Sequence, residues 1–567
     1  MGTITLIRPA RVVAKSAPHN IVATPPIGLA YIAGVAIEKG FPVSFLDAFP
    51  LSPDSVEEDK DLDFYYLGAT IPEILSKVDP NSLLIGISAM FSQEWFYTKK
   101  LISFIHKEFP HIPIVLGGEH ITADPFYVLR STPPNTILVL GEGEETFSDL
   151  LVALKNGEDL SRVEGIAFWK NGEIILTPRR KRIRDIDSLP YPAWDLVPIQ
   201  FYLDHRYGYE EWNRRSMPML ATRGCPYQCT FCSNPAMWTT RWIPRKPEEV
   251  VKEMEYYLKK YRIEHVEFYD LTAIVDKKWI LRFTEILKEK NLPLTWRLPS
   301  GTRSEALDYE VLKRMKETGC EAIVYAPESG SPTTLERIKK KVKPERMLKS
   351  MRSAVKLNFH TRAHFIMGIP GQTPREVLET FWFIVKIAWV GIHDITSFFF
   401  YPYPGSTLYQ ELVRKGKIDP SDPNYDLFLA KACFTDFKNV PSYSEYFSPK
   451  MIRFLCLSSM GLFYFLQFLF RPYRLFPLVL KVIQGKPFTW LERFLSTQIR
   501  EKIFGRIVRH RKKGSFSTLP SPENPIMEGE SLEVGSFKAV TSQDRREERP
   551  RTVLKKTLSP NVSSPPL

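Results

Sequence analysis

Apolar and polar residues alternate along the first part of the chain in two rhythms. Apolar runs of strand length stand at Thr3–Ile7, Pro42–Leu46, Ser82–Ser88, Ile112–Leu116 and Thr136–Leu140. Between them, Ile27–Lys39, Phe96–Glu108 and Glu144–Lys155 repeat their apolar positions with the period of a helix that buries one face. This alternation predicts a doubly wound, Rossmann-like parallel sheet over residues 1–155, with ligands beyond the carboxyl ends of its strands. Asn171-Gly172, between two alternating runs in Val163–Pro178, predicts a hairpin. The Pro- and aromatic-rich Asp185–Leu203 reads as a linker, so 156–204 joins two domains. Strand-like runs resume at Met217–Thr222, His265–Tyr269, Leu294–Leu298, Ala322–Ala326, Thr361–Ile369 and Ile395–Phe400. Helical patterns at Glu248–Lys260, Lys277–Lys288, Tyr309–Thr318, Arg346–Leu357 and Pro374–Ala388 separate them. The expectation for 205–430 is six β/α units, a partial TIM-type barrel whose strand C-termini converge on one mouth.

Beyond residue 430 the rhythm changes, and a helical region over 431–510 is expected before a disordered tail, 511–567. Phe454–Phe470 is almost unbroken in apolar residues between Arg453 and Arg471. As a helix of about 1.5 Å per residue it reaches roughly 25 Å, short of the ~30 Å hydrocarbon core of a bilayer. It reads as a helical cap over the barrel mouth or as a helix lying in a membrane interface, the second suited by the neighbouring aromatic and basic residues. The formal net charge of +13 is largely C-terminal, with seven Lys/Arg and one acid between Arg500 and Lys513. A solvated tail is the expectation there; contact with anionic lipid stays open, and a nucleic-acid ligand is not expected. Six cysteines without a paired framework imply a reducing, cytoplasmic setting. The N-terminus, MGTITLIRPARVV, has no long apolar core or small-residue cleavage site, so no signal peptide is predicted.

Candidate chemistry concentrates in one stretch. Cys225, Cys229 and Cys232 form a C-x3-C-x2-C run after the first barrel strand, and no other Cys or His stands within ten residues of it. Three thiolates can hold three irons of a cubic 4Fe–4S cluster and leave the fourth iron open. A structural zinc knuckle is the other reading, although such sites normally take four ligands. Cys320, Cys433 and Cys456 are scattered and read as small core residues. In the first domain, a loop with Pro26 and Gly28 precedes the first predicted helix, and loops with Gly117, Gly118 and His120 and with Gly141, Glu142 and Gly143 follow predicted strands. Glycines there let backbone approach a flat ligand.

The cysteine run, with Phe231 before its last cysteine, resembles the radical S-adenosylmethionine (SAM) superfamily. Arg223-Gly224-Cys225-Pro226 leading in and Ser233-Asn234-Pro235 leading out resemble the branch that also carries an N-terminal cobalamin-binding domain, and the likeness spans residues 1–430. It implies a 4Fe–4S cluster on the three cysteines, with SAM chelating the open iron. One electron then cleaves a carbon–sulfur bond and gives a 5′-deoxyadenosyl radical. It also implies that the three N-terminal loops border cobalamin. The D-x-H-x-x-G pattern, whose histidine ligates cobalt in many cobalamin proteins, is absent, and His19 and His120 stand in other contexts. Bound cobalamin is therefore expected without a histidine on cobalt; a domain that has kept the fold and lost the cofactor is the alternative.

The same resemblance assigns a SAM site around the barrel mouth. Asp270 stands where the family usually has two adjacent acids, the second here being Leu271, and is expected to meet the methionine ammonium. Arg303 matches a family arginine able to pair a carboxylate. Pro327-Glu328-Ser329-Gly330-Ser331 is close to the family's Gly-x-Glu-Ser-Gly-Ser, with Glu328 the expected acceptor of ribose hydroxyls. Phe365–Thr373, with Gly368 and Pro370, resembles the strand that packs against adenine, with Gln372 where Glu is common; Tyr401–Thr407 matches the last strand's exit loop. No side chain is assigned a catalytic role. Three readings follow: methylation of an unactivated carbon in an apolar, lipid- or isoprenoid-like substrate; oxidative cyclisation or rearrangement, as in the anaerobic cyclase of chlorophyll synthesis; and a non-catalytic cobalamin- or zinc-binding module. The first two need a reducing partner such as a flavodoxin or ferredoxin.

Overall fold

The structure, a computed structural model, describes residues 2–16, 23–59, 62–432 and 436–497 of the 567-residue chain. His19, Cys433, the basic stretch 500–513 and the tail from 511 lie outside the described residues.

The N-terminal half is built on a seven-stranded sheet. Its parallel part comprises β1 (Ile4–Arg8), β2 (Val43–Asp47), β3 (Leu84–Ser88), β4 (Ile114–Gly117) and β5 (Thr136–Val139), in the order β2-β1-β3-β4-β5. β6 (Ile166–Lys170) and β7 (Glu173–Leu176) extend it as an antiparallel hairpin. Asn171 and Gly172 turn that hairpin with φ of +52° and +83°, the left-handed pair that a type I′ turn requires. The strand order reverses between β1 and β3, and a ligand is expected in the crevice beyond such a switch point. The helix Ile27–Glu38 lies close to its neighbours because its inner face is small: Ala30, Ala33 and Ala36 are fully buried. An added side-chain carbon on Gly143, which opens the helix Gly143–Asn156, would meet Ile32 at 2.9 Å.

The second sheet has six strands in sequential, parallel order. These are β8 (Ser216–Met219), β9 (His265–Phe268), β10 (Thr295–Thr302), β11 (Cys320–Glu328), β12 (His360–Met367) and β13 (Asp394–Phe399). The pairing of β10 with β11 slips between Trp296 and Leu298 and again between Leu298 and Thr302, and that of β11 with β12 slips between Tyr325 and Glu328, near the strand C-terminus. Such irregularities re-aim side chains.

The opposite end of this sheet is plugged by charge. Glu267 of β9 accepts the N–H groups of Tyr209 (2.8 Å) and Glu210 (2.7 Å). Arg297 of β10 donates to the Glu210 carbonyl (2.6 Å) and Glu211 (2.8 Å), and Arg362 of β12 pairs with Glu210. Glu211, His265 and Glu321 also converge there. Arg214 and Arg297 already neutralise both of those carboxylates, so the cluster is an ion network.

The apolar run near the C-terminus belongs to a longer helix, Pro449–Phe470, 22 residues long. Its start is set by capping rather than by hydrophobicity: Ser448 Oγ accepts the Met451 N–H (3.3 Å), and Pro449 stands at the first helical position. Ile452, Cys456, Ser459, Phe463 and Gln467 form its inner face. Ser459 donates to Ser397 (2.7 Å), Tyr464 to Asp394 (3.0 Å) and Gln467 to the His393 carbonyl (3.0 Å), so the helix lies along β13. It therefore covers the flank of the barrel. Only its first turns reach the rim, where Ile452 packs on Gly368.

Candidate active site

The cysteine loop leaves β8 through Thr222–Arg223, which pairs with Ile243–Pro244. Gly224 follows at φ +83°, and a side chain there would drive into the Arg241 carbonyl at 2.3 Å, so only glycine fits. Barrel elements then pin the loop. Thr230 N–H donates to the Ile338 carbonyl (3.0 Å), Leu408 N–H to the Thr230 carbonyl (2.9 Å), and Thr272 Oγ1 to Cys225 Sγ (3.3 Å). Burial raises the Cys229 thiol and pushes Cys232 up to about 12, so holding thiolates there calls for a cation. Iron would supply that charge, and Lys340 and Arg303 stand close enough to Cys229 to favour its ionised form. Cys320 and Cys456, by contrast, are fully buried core residues.

Around this loop the mouth is lined with buried polar atoms that lack partners. Asp270 accepts the Ala221 N–H on Oδ2 (3.1 Å), while Oδ1 is buried and unpaired. Desolvation holds its carboxyl up at about 6, so a cation placed at Oδ1 would be bound strongly. Arg303 stacks on Tyr227 at 3.5 Å and donates to Glu305 and the Lys341 carbonyl, with Nη1 left over. The Asn234 side chain, Thr230 Oγ1 and Gln372 Nε2 are in the same state. Glu328, at φ +62°, is a non-glycine residue in left-handed backbone, and Lys340 Nζ donates to it at 2.8 Å. Strain of this kind persists where surrounding structure enforces it.

Other expected residues have different surroundings. Ser329 shares a hydrogen bond with Thr380 (2.9 Å) and accepts the Ser331 N–H (3.1 Å), which makes it part of the scaffold. The Gly368 N–H donates to Gln372 Oε1 (3.1 Å) on the turn that includes Pro370. Phe231 is half-buried against the core that runs between the two halves.

The loops at the carboxyl ends of the first sheet face the cysteine loop. Ser233, next to Cys232, donates to Glu119, next to Gly118. The position of a Gly405 side chain is bounded by Ala123 and Ala236, each at 3.0 Å, and that of Gly141 by the Met237 carbonyl at 3.8 Å. At Gly28 and Gly117 an added carbon would meet nothing within 4 Å. Met90 and Phe91, after β3, are 39% and 54% exposed, and Leu271 is 40% exposed. Apolar side chains beside bare glycine backbone suit a large flat ligand. Pro26 caps the helix Ile27–Glu38. His120 is 1% exposed, bonded through Nδ1 to Ser92 (2.9 Å) and packed at a tilt against Trp95; burial lowers its pKa to about 3 and keeps it neutral. Glu142 was expected on the cofactor loop, but Arg182, Arg223 and the Ile183 N–H engage both of its oxygens. It belongs to the join between the halves.

Sequence reasoning missed Lys340, Glu119 and Tyr227. Lys340 lies in the basic run Lys339–Lys341, which reads as solvent-facing charge, and Glu119 gives no periodic signal.

Residues 219–384 match the radical SAM superfamily, and residues 22–151 match the B12 binding domain. An uncharacterized methyltransferase of Pyrococcus horikoshii is 31% identical over 400 residues, 70% of this chain and 80% of that protein. The anaerobic magnesium-protoporphyrin IX monomethyl ester cyclase of Cereibacter sphaeroides is 26% identical over 395 residues, 68% of this chain and 60% of the cyclase. Among solved structures, the cobalamin-dependent SAM radical enzyme OxsB, with aqua-cobalamin and SAM bound, superposes with a TM-score of 0.57 at 18% identity, over 74% of this chain and 56% of that one.

Proposed function

The chain belongs to the cobalamin-dependent branch of the radical SAM superfamily, and we propose that it methylates an unactivated carbon of an apolar small molecule. It is an enzyme, with a 4Fe–4S cluster, SAM and cobalamin as its cofactors. Together these groups supply one-electron cleavage of SAM, a radical able to take hydrogen from carbon, and a transferable methyl group.

The protein's part is to hold, orient and keep dry. Cys225, Cys229 and Cys232 would ligate the cluster, with Thr272 donating to Cys225 Sγ. Asp270 Oδ1 would receive the methionine ammonium, and Glu328, held by Lys340, would accept from the ribose. Gly28, Gly117 and Gly118 would lie against the flat face of cobalamin, with Met90 and Phe91 beside it. The carrying observation is that unpartnered buried polar atoms at the mouth meet glycine loops and exposed apolar side chains across one narrow join. The apolar character of Met90, Phe91 and Leu271 supports an apolar substrate, and a flavodoxin- or ferredoxin-like reductant would serve the cluster.

A second reading, oxidative cyclisation, is favoured by the likeness to the Cereibacter cyclase. Product mass separates the two. Extracts, lipids included, of a strain lacking the gene are incubated with reconstituted enzyme, SAM and reductant. One added CH2 means methylation, and a loss of hydrogens means cyclisation. The joint replacement of Cys225, Cys229 and Cys232 by alanine should remove about four irons per chain, the content of one cubic cluster. It should also abolish 5′-deoxyadenosine release; release that persists would refute the assignment.

A further inference from the structure

The flank made by the helices Pro374–Val390, Pro449–Phe470 and Leu475–Gln484 leaves large apolar side chains in solvent. On the first helix Leu378, Trp382 and Trp389 recur at i, i+4 and i+11, one outward stripe. The second presents Phe454, Phe465 and Leu469 on the side away from β13. The third has no buried residue, and its Phe476 and Ile483 are 75% and 76% exposed. Trp389 and Phe470 meet at 5.0 Å between ring centroids, which joins the first two helices, and the short turn Pro472–Arg474 leads into the third. Fourteen of the twenty-nine large apolar side chains exposed among the described residues lie on these helices and that turn. Soluble monomers rarely leave so much apolar surface together.

The helix Pro374–Val390 is balanced, with Arg375 and Lys386 against Glu376 and Glu379, but the charge of the chain that follows from residue 449 is one-sided. Residues 449–497 hold seven Lys/Arg against one acid, Glu492, which is buried. The sequence then adds the basic stretch 500–513 directly after it.

We propose that this flank docks on the surface of an anionic lipid bilayer, its apolar stripes in the acyl boundary and its Lys and Arg among the headgroups. Charge selects this occupant over a second copy of the chain, because a self-contact would bring two cationic surfaces together and anionic headgroups neutralise them. The geometry also selects lying over spanning. Twenty-two residues of helix reach about 33 Å, enough to cross a hydrocarbon core. The inner face of Pro449–Phe470, however, bonds Ser397, Asp394 and the His393 carbonyl, so a spanning helix would carry β13 into lipid. The upper end of that helix packs on Gly368 at the rim of the site, so a docked enzyme would hold its mouth beside the membrane.

The test uses full-length holoenzyme and sedimentation with vesicles of phosphatidylcholine plus phosphatidylglycerol, or of phosphatidylcholine alone. Binding is expected to the mixed vesicles at low salt, weakened by high salt, with tryptophan emission quenched by brominated acyl chains. The variant W382E/F465E/I483E changes only exposed positions and should melt like the wild type while binding about tenfold or more weakly. Protein that stays in the supernatant with mixed vesicles at low salt overturns the proposal. A lipid-free dimer that the variant splits would assign the face to a second copy, and extraction from cells only by detergent would make the helix a span; either result overturns it too.

Discussion

Asp270 shows how a single residue can be unstable by design. Its folded pKa of about 6 lies above the ordinary 3.8, so between those values the folded chain binds more proton than the unfolded one. The stability this group contributes therefore falls as pH rises through that window, by on the order of 2–3 kcal/mol in full. Cofactor-free D270N should melt above the wild type at pH 8, where the folded carboxylate is ionised, and the gap should shrink to a small remainder near pH 4, where the folded carboxyl is protonated and the unfolded one begins to be; calorimetry at the two pH values checks this. SAM binding should move the opposite way, weakening about tenfold or more in D270N, because the ammonium loses its charged acceptor. The place of Asp270 beside the cysteine loop was legible because it follows a strand in a motif. Lys340, which neutralises Glu328 and stands near Cys229, was not, since a lysine in a basic run gives no hint that the fold will bury it.

At the scale of elements, Gly117 and Gly118 stand side by side and should fail differently. An alanine at Gly118, with φ +126°, would place its methyl 2.5 Å from the Ala89 carbonyl, so G118A should lower the melting temperature. At Gly117 the added carbon meets no protein atom within 4 Å. G117A should therefore fold normally and still purify with less cobalamin by absorbance; full retention would move the cofactor away from this loop. The cob(II)alamin form should show no superhyperfine splitting from a histidine nitrogen, and H120A should leave its paramagnetic resonance spectrum unchanged. The main strands and helices were legible from periodicity to within a few residues, because each buries a regular face. The small antiparallel sheet of Arg11–Ala14, Val56–Asp59 and Phe64–Leu67 was not. Its middle segment in the chain, Val-Glu-Glu-Asp, is acidic and outward-facing and carries no apolar alternation.

At the scale of the whole molecule, Arg223 fastens the two halves together. It bonds Glu144 at 2.6 Å and Glu142 at 3.3 Å and stacks over Tyr31 at 5.0 Å, all within the buried join. R223M would leave Glu144 buried without a cation. Breaking such a pair costs about 3–5 kcal/mol, so the melting temperature should drop clearly in calorimetry. The motif displayed Arg223, but its acidic partners lie some eighty residues away, beyond the reach of local pattern. Distance along the chain also bears on how the barrel is made. β13 is the outermost strand of its sheet and ends at Phe399, whereas the helix that covers it ends at Phe470. At about 5–20 residues per second of synthesis, the uncovered strand waits roughly 4–14 seconds for its cover. During that interval its open edge can pair with another nascent chain. The covering helix thus makes the catalytic half a late folder, one whose yield in the cell depends on translation speed and on chaperones that guard the exposed edge.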